Sequence, residues 1–288
     1  EAGGEIIKGA GVDQFLVRNG KVTGVALENG DEYHAPIVAS NMDVKRTFLQ
    51  HTDRAALPSA FTKAVERFKI RGSSAKLNIA LDRLPSFPAA PKGATFLRGD
   101  MHCSTTLNEL ERAYDDWKDG RWSQDPYFDM LIPSQIDPTM APPGKHMMTV
   151  FVQYAPYDLE VDGVRSGENW NDATRKAMAD CVLDKIAVAC PDIRERVVHA
   201  EVRTPWDIER EVGLTEGNIF QGELTFDQLL FNRPVPGYAQ YDTPIRGMYI
   251  VGSSAHPGGG VMAAPGANAA REILRNIGKG KSMPDFAA

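Results

Sequence analysis

The spacing of apolar and polar positions changes character along the chain. Near its start Val22, Val25 and Leu27 lie in a β-type run, Asn29-Gly30-Asp31 follows, and a second run extends from Tyr33 to Ala39. An Asn-Gly step between two such runs predicts a β-hairpin, because tight hairpin turns need residues that tolerate positive φ. Ile37-Val38-Ala39 then stops at Ser40-Asn41, as a buried strand would. From about residue 46 to 240 helical and strand patterns alternate. Residues 74–82 and 146–154 read as strands, and Thr106-Leu107-Asn108-Glu109 has capping-box spacing at the head of an amphipathic helix running toward Gly120. Asn169 to Ala189 is a long helical pattern that ends before Pro191, and Thr204-Pro205-Trp206-Asp207 reads as a helix start. The proline-rich stretches 85–91 and 133–143 predict connecting loops.

The last region has a different texture. Met248-Tyr249-Ile250-Val251 is a short apolar run suited to a buried parallel strand. It leads into Gly252-Ser253-Ser254-Ala255-His256-Pro257-Gly258-Gly259-Gly260-Val261-Met262, then into a small-residue helix from Pro265 to Ile277 closed by Gly278. Glycines let a backbone approach a ligand closely, and a helix N-terminus presents unpaired N–H groups with about half a positive charge. Together they form a site for phosphate or for negative charge developing on a cofactor. The competing reading is a tight connection whose small residues serve packing alone. The turn matches neither G-x-x-x-x-G-K-[ST] nor G-x-G-x-x-G, which disfavours a nucleotide-triphosphate loop.

Composition narrows the classes. With 288 residues, 42% hydrophobic and 24% charged, the chain has the balance of a soluble globular protein long enough for one large domain or two ordinary ones. Its 32 basic and 38 acidic residues give a net charge of -6 without any basic stripe, so no nucleic-acid partner is expected. No apolar run reaches the ~20 residues of a membrane span. The cysteines, Cys103, Cys181 and Cys190, form no C-x-x-C pair, which removes a zinc ribbon, and no metal ligands are assigned. Cys181 and Cys190 fall in one helical pattern, about 13 Å apart along its axis, too far to bond. A reducing, cytoplasmic compartment is the default expectation.

The strand, glycine turn and Ala-rich helix resemble the C-terminal flavin-binding motif of the phytoene desaturase-like oxidoreductases, a group within the amine oxidase-type flavoproteins. The opening Val22 to Asp43 resembles the same family's hairpin and following strand. Gly217 to Leu224 with Asn232-Arg233-Pro234 resembles its branch of pyridine nucleotide-disulfide oxidoreductase domain-containing proteins. The resemblance implies an α/β (α+β) fold: residues 1–45 and 241–288 as part of an FAD-binding domain, residues 46–240 as a substrate domain with a mixed sheet and helices. It implies FAD as cofactor, a small-molecule substrate, and hydride removal from a C–C or C–N bond.

Carried over position by position, the resemblance places Gly252 and Ser253 beside the pyrophosphate and ribityl chain. It sets Gly260, Val261 and Met262 against the pyrimidine edge of the isoalloxazine and Val12 at the adenine, with Gly259 also among the cofactor-binding residues. The family's G-x-G-x-x-G fingerprint is absent, and the sequence opens at Glu1-Ala2-Gly3-Gly4-Glu5 without initiator methionine or signal peptide. The expectation is a C-terminal portion whose uncovered apolar surface drives homo-oligomer formation. A non-catalytic assembly fragment and a flavin-dependent isomerase are the alternatives.

His256 either hydrogen-bonds the cofactor or fixes its loop. Asn218, Phe220 and Gln221 face substrate or build loop structure. No catalytic residue is assigned. The acidic run of Asp207, Glu209, Glu211 and Glu216 reads as a solvated face, and Met147, Met148, Phe151 and Tyr154 read as core.

Overall fold

The computed structural model describes residues 3–91, 95–103 and 106–278. The chain divides into two compact units, one running to Ile70 and resuming at Ile219, the other comprising Arg71–Asn218. Residues 46–70 and 219–240, expected in the substrate lobe, group with the first unit. The reason is packing: Phe48, Leu57, Phe61, Val65, Phe68 and Ile70 share one core with Val235, Tyr241, Met248, Tyr249 and Ile250.

The first unit opens with β1 (Val12–Arg18) and β2 (Lys21–Leu27), paired antiparallel. Their two-residue turn is Asn19-Gly20, with φ of 52° and 70°, the conformation a right-twisted hairpin demands. β3 (Glu32–His34) adds on the other side of β2 around the expected Asn29-Gly30 turn, where Asp31 N donates to Asn29 Oδ1 at 3.0 Å. The expected strand from Tyr33 to Ala39 does not continue. Pro36 lacks an N–H for the ladder, and β4 (Val38–Ser40) joins a different sheet. The helix α1 (Ser59–Glu66) buries Phe61 and Val65, one turn apart, in the shared core.

In the second unit, β5 (Ser74–Leu81), β6 (Met101–His102), α2 (Leu107–Lys118), β7 (Tyr127–Leu131) and β8 (His146–Gln153) are followed by the small hairpin β9 (Leu159–Val161) and β10 (Val164–Ser166). Then come α3 (Asp172–Ala189), α4 (Ile193–Arg196), β11 (Val197–Arg203) and α5 (Pro205–Val212). Five strands form one sheet in the order β11-β5-β8-β7-β6. Every pairing in it is antiparallel, so this sheet is not the mixed one expected. Antiparallel pairing lets one face pack while the other stays open. Leu77, Ile79, Leu81, Phe128, Met130, Met148, Val150 and Val152 share a core with Met178, Val182 and Ile186, which recur every fourth residue along α3. Met147 and Phe151 alternate away from that core and are only partly buried, so of the expected methionine pair Met148 alone enters it. Tyr154 packs edge-on to Tyr114 at 5.4 Å.

Of the acidic run, only Glu211 is exposed to solvent as expected; Asp207, Glu209 and Glu216 are partly buried and bonded. The Tyr157 hydroxyl donates to the Glu209 carboxylate, which also accepts from Glu216 N at 2.8 Å. Asp207 closes a capping box with Thr204 and pairs with Arg175 at 2.5 Å. Burial alone would raise the Asp207 pKa; donors from Arg175 and Thr204 outweigh it and hold the carboxyl below its ordinary value. A depressed carboxylate pKa stabilises the fold above its unfolded value and loses that contribution as pH falls through the folded one. Below about pH 4, the unaltered chain should therefore lose stability that Asp207→Asn has already lost. At pH 7 Asp207→Asn should cost about 1–3 kcal/mol by leaving Arg175 half-buried and unpaired. Urea unfolding at both pH values checks this; equal differences at the two would count against it.

The chain returns to the first unit with β12 (Met248–Ile250), which pairs in parallel with β4, Met248 opposite Val38 and Ile250 opposite Ser40. The helix α6 (Ala264–Gly278) follows. Among the described residues the three thiols are free, and no helix is long and apolar enough to cross a membrane.

Candidate functional site

The β4–β12 pair ends where the glycine turn begins. Val251 N still donates to Ser40 O at 2.8 Å, and Gly252 follows. A Cβ on Gly252 would stand 2.4 Å from Asn41 O and 2.8 Å from Gln221 Oε1, so the two segments meet at a distance only glycine allows. Further on, Gly258 and Gly260 have φ of 111° and 127°. A Cβ on Gly259 would meet the Phe220 ring at 2.7 Å.

Three stretches of the same unit hold the turn. Ser254 is fully buried; its hydroxyl donates to Gln221 O at 2.6 Å and accepts from Val44 N at 3.2 Å. Gln221 Nε2 donates to Asn41 O at 3.0 Å. The Tyr241 hydroxyl donates to His256 O at 2.9 Å. Behind them Arg233 donates to Ser253 O through Nε at 3.0 Å and Nη2 at 2.8 Å.

What the turn leaves open matters as much. Among the described residues, the N–H groups of Gly258, Gly259, Gly260, Val261 and Met262 donate to no protein acceptor. They precede the 15-residue helix α6, whose N-terminus adds positive potential. His256 Nδ1 is buried and has no hydrogen-bond partner among the described residues. Such an arrangement receives a ligand edge rich in hydrogen-bond acceptors or one that gains negative charge.

Gly252, Ser253, His256, Gly259, Gly260, Val261 and Met262 thus lie on a single turn. Phe220 and Gln221 pack beneath it, the Gln221 amide committed to Asn41 and Ser254. Val12 opens β1, in register with Leu27. Asn218 lies in the second unit, where its buried amide donates to Arg71 O at 2.8 Å. Arg233, Ser254 and Tyr241 are contributors that sequence reasoning does not single out. Arg233-Pro234 stands in a resembling motif, and that is its only signal.

The fold is shared with a solved oxidoreductase. The structure of an oxidoreductase from Methanosarcina mazei matches 93% of this chain and 49% of its own, with a TM-score of 0.53 and 18% identity. By sequence the chain is homologous to pyridine nucleotide-disulfide oxidoreductase domain-containing protein 2 of Mus musculus, 40% identical over 264 residues, covering 90% of this chain and 45% of the relative. It is also similar to 4,4'-diapolycopene oxygenase of a Methylomonas species, 29% identical over 91% of this chain and 48% of the relative. A phytoene desaturase (lycopene-forming) of a Paracoccus species is 26% identical over 94% of this chain and 50% of the relative. The chain spans about half the length of the curated relatives it matches. No protein-family profile matches it.

Proposed function

We propose that this chain forms part of an FAD-dependent oxidoreductase of the dehydrogenase or desaturase type, oxidising a C–C or C–N bond of a small organic substrate by loss of hydride from one carbon to the flavin and of a proton from the neighbouring atom. The observation that carries the reading is the run of unpaired N–H groups from Gly258 to Met262 at the head of α6. These residues fit the pyrimidine edge of a flavin: the ring offers acceptors, the turn offers donors without competing partners, and the orphaned His256 Nδ1 adds another polar atom. When bound, FAD supplies the hydride acceptor, chemistry that needs no protein nucleophile. The protein's part is to hold the turn rigid and to place donors where negative charge develops. Residues 3–11 hold no helix or strand, and no G-x-G-x-x-G occurs to cradle the diphosphate.

The test is a titration of the purified chain with FAD. Saturable quenching of flavin fluorescence, with a protein-bound band at roughly 450 nm, supports the reading. A colourless protein that leaves FAD fluorescence unchanged overturns it and supports a cofactor-free assembly module. A prolycopene isomerase of Daucus carota, 28% identical over 293 residues, favours a second reading in which flavin works without net redox. Isomerised product with no change in oxidation level identifies that case.

Apolar side chains stand exposed in the same unit. Val261, Met262, Phe226, Leu230 and Phe231 are each more than half exposed, and Leu224 reaches within 3.4 Å of the Cβ position of Gly258. Exposed apolar surface of this kind drives association. The mass from light scattering should rise with protein concentration; a monomer at every concentration would argue against a homo-oligomer.

A further inference from the structure

Arg233 is a fully buried side chain, 0% exposed, with no ion-pair partner among the described residues. Burial alone pushes its pKa down, to about 10. All its N–H donors end on main-chain carbonyls. Nε and Nη2 share Ser253 O, Nη2 also reaches Phe220 O at 2.8 Å and Gly222 O at 3.4 Å, and Nη1 reaches Glu223 O at 3.3 Å and Gln228 O at 3.5 Å. The group lies 5.8 Å from the centre of the Phe68 ring.

A buried cation without a counter-ion costs stability, so its presence calls for a task that a cheaper apolar residue cannot perform. The acceptors indicate the task. They come from two stretches far apart in sequence: the 220–228 loop and Ser253, the residue that follows the strand-end glycine. A planar fork with five fixed donors can set two such stretches in one geometry; a lysine, with three donors on one atom, cannot.

We propose that Arg233 is a positioning residue: its guanidinium sets the Ser253 carbonyl against the 220–228 loop and thereby aims the Gly258–Met262 N–H groups at their ligand. The ligand half of this statement rests on the flavin reading; the positioning half does not. Lysine therefore fails to replace Arg233 although it keeps the charge.

The experiment compares the chain with Arg233→Lys and Arg233→Met by amide hydrogen exchange and by FAD titration. In Arg233→Lys, exchange at Phe220–Glu223 and Ser254–Met262 should rise about tenfold while β5 and β8 stay unchanged, and FAD affinity should fall about tenfold. The visible circular dichroism of bound flavin should change shape, which a loss of stability alone does not produce. Exchange and affinity in Arg233→Lys equal to those of the unaltered chain overturn the proposal. If the unaltered chain takes up no FAD, the flavin reading fails and the exchange pattern alone decides the positioning role. Should both variants fail to fold, the arginine side-chain N–H resonances of the unaltered chain decide it. Five acceptors should give separate, slowly exchanging Arg233 Nη signals, and one averaged signal overturns the assignment.

Discussion

Gly252→Ala should destabilise the first unit by about 1–3 kcal/mol, the usual range for forcing volume into a closed site. The methyl group would stand 2.4 Å from Asn41 O and 2.9 Å from Asn41 C, both backbone atoms. No rotamer change can relieve such a contact. Either β12 moves away from β4, lengthening the 2.8 Å bond from Val251 N to Ser40 O, or Asn41 shifts and loses its bond from Gln221. Gly266→Ala is the contrast. Its Cβ would find Val251 O at 3.9 Å, an ordinary contact, inside α6. Alanine is the better helix former by about 1 kcal/mol, so this variant should be neutral or more stable. Urea midpoints of the two variants, measured side by side, should move in opposite directions or leave Gly266→Ala unmoved. A Gly252→Ala chain as stable as its parent would mean that the two strands do not end in the close approach described.

The parts of this fold that are legible in sequence are those whose cause is local. The strands β5 and β8 end within a residue or so of where the run of β-type residues stops. The helix α5 starts where Thr204 and Pro205 require it. The glycine turn is legible for the same reason, since positive φ at Gly258 and Gly260 excludes most side chains.

What stays hidden depends on partners distant in sequence. Pro36 marks the break after β3, but nothing near Val38–Ser40 says that its partner is Met248–Ile250. Nothing at Ile70 or Arg71 marks a boundary, because the apolar residues of 46–70 look alike whichever core they enter. The Asn19-Gly20 hairpin carries a turn signal, yet the flanking Arg18 and Lys21 interrupt the apolar pattern that would announce its strands. Arg233 is the sharpest case. A buried arginine and a surface arginine are the same letter, and only the carbonyls gathered around it tell them apart.

Gly260→Asp should abolish flavin retention while leaving the chain folded, with affinity for added FAD reduced by roughly a hundredfold or more. Three effects act together. At φ of 127° an aspartate carries strain of about 1–3 kcal/mol, which favours a rearranged turn. Its carboxylate would compete for the N–H groups of Gly258–Met262, which donate to nothing else among the described residues. Its negative charge would also oppose charge developing on a reduced ring, where the N-terminus of α6 favours it. Folding should survive because the atom nearest the new Cβ is Met262 Cε, at 2.9 Å, the free end of a flexible side chain. Gly260→Ala separates the causes, since it brings the strain without the charge and should lose affinity less severely. Fluorescence titration with FAD, run beside a thermal melt of each variant, reads both quantities. Flavin uptake by Gly260→Asp equal to that of the unaltered chain would remove the cofactor from this turn, whatever else the chain binds.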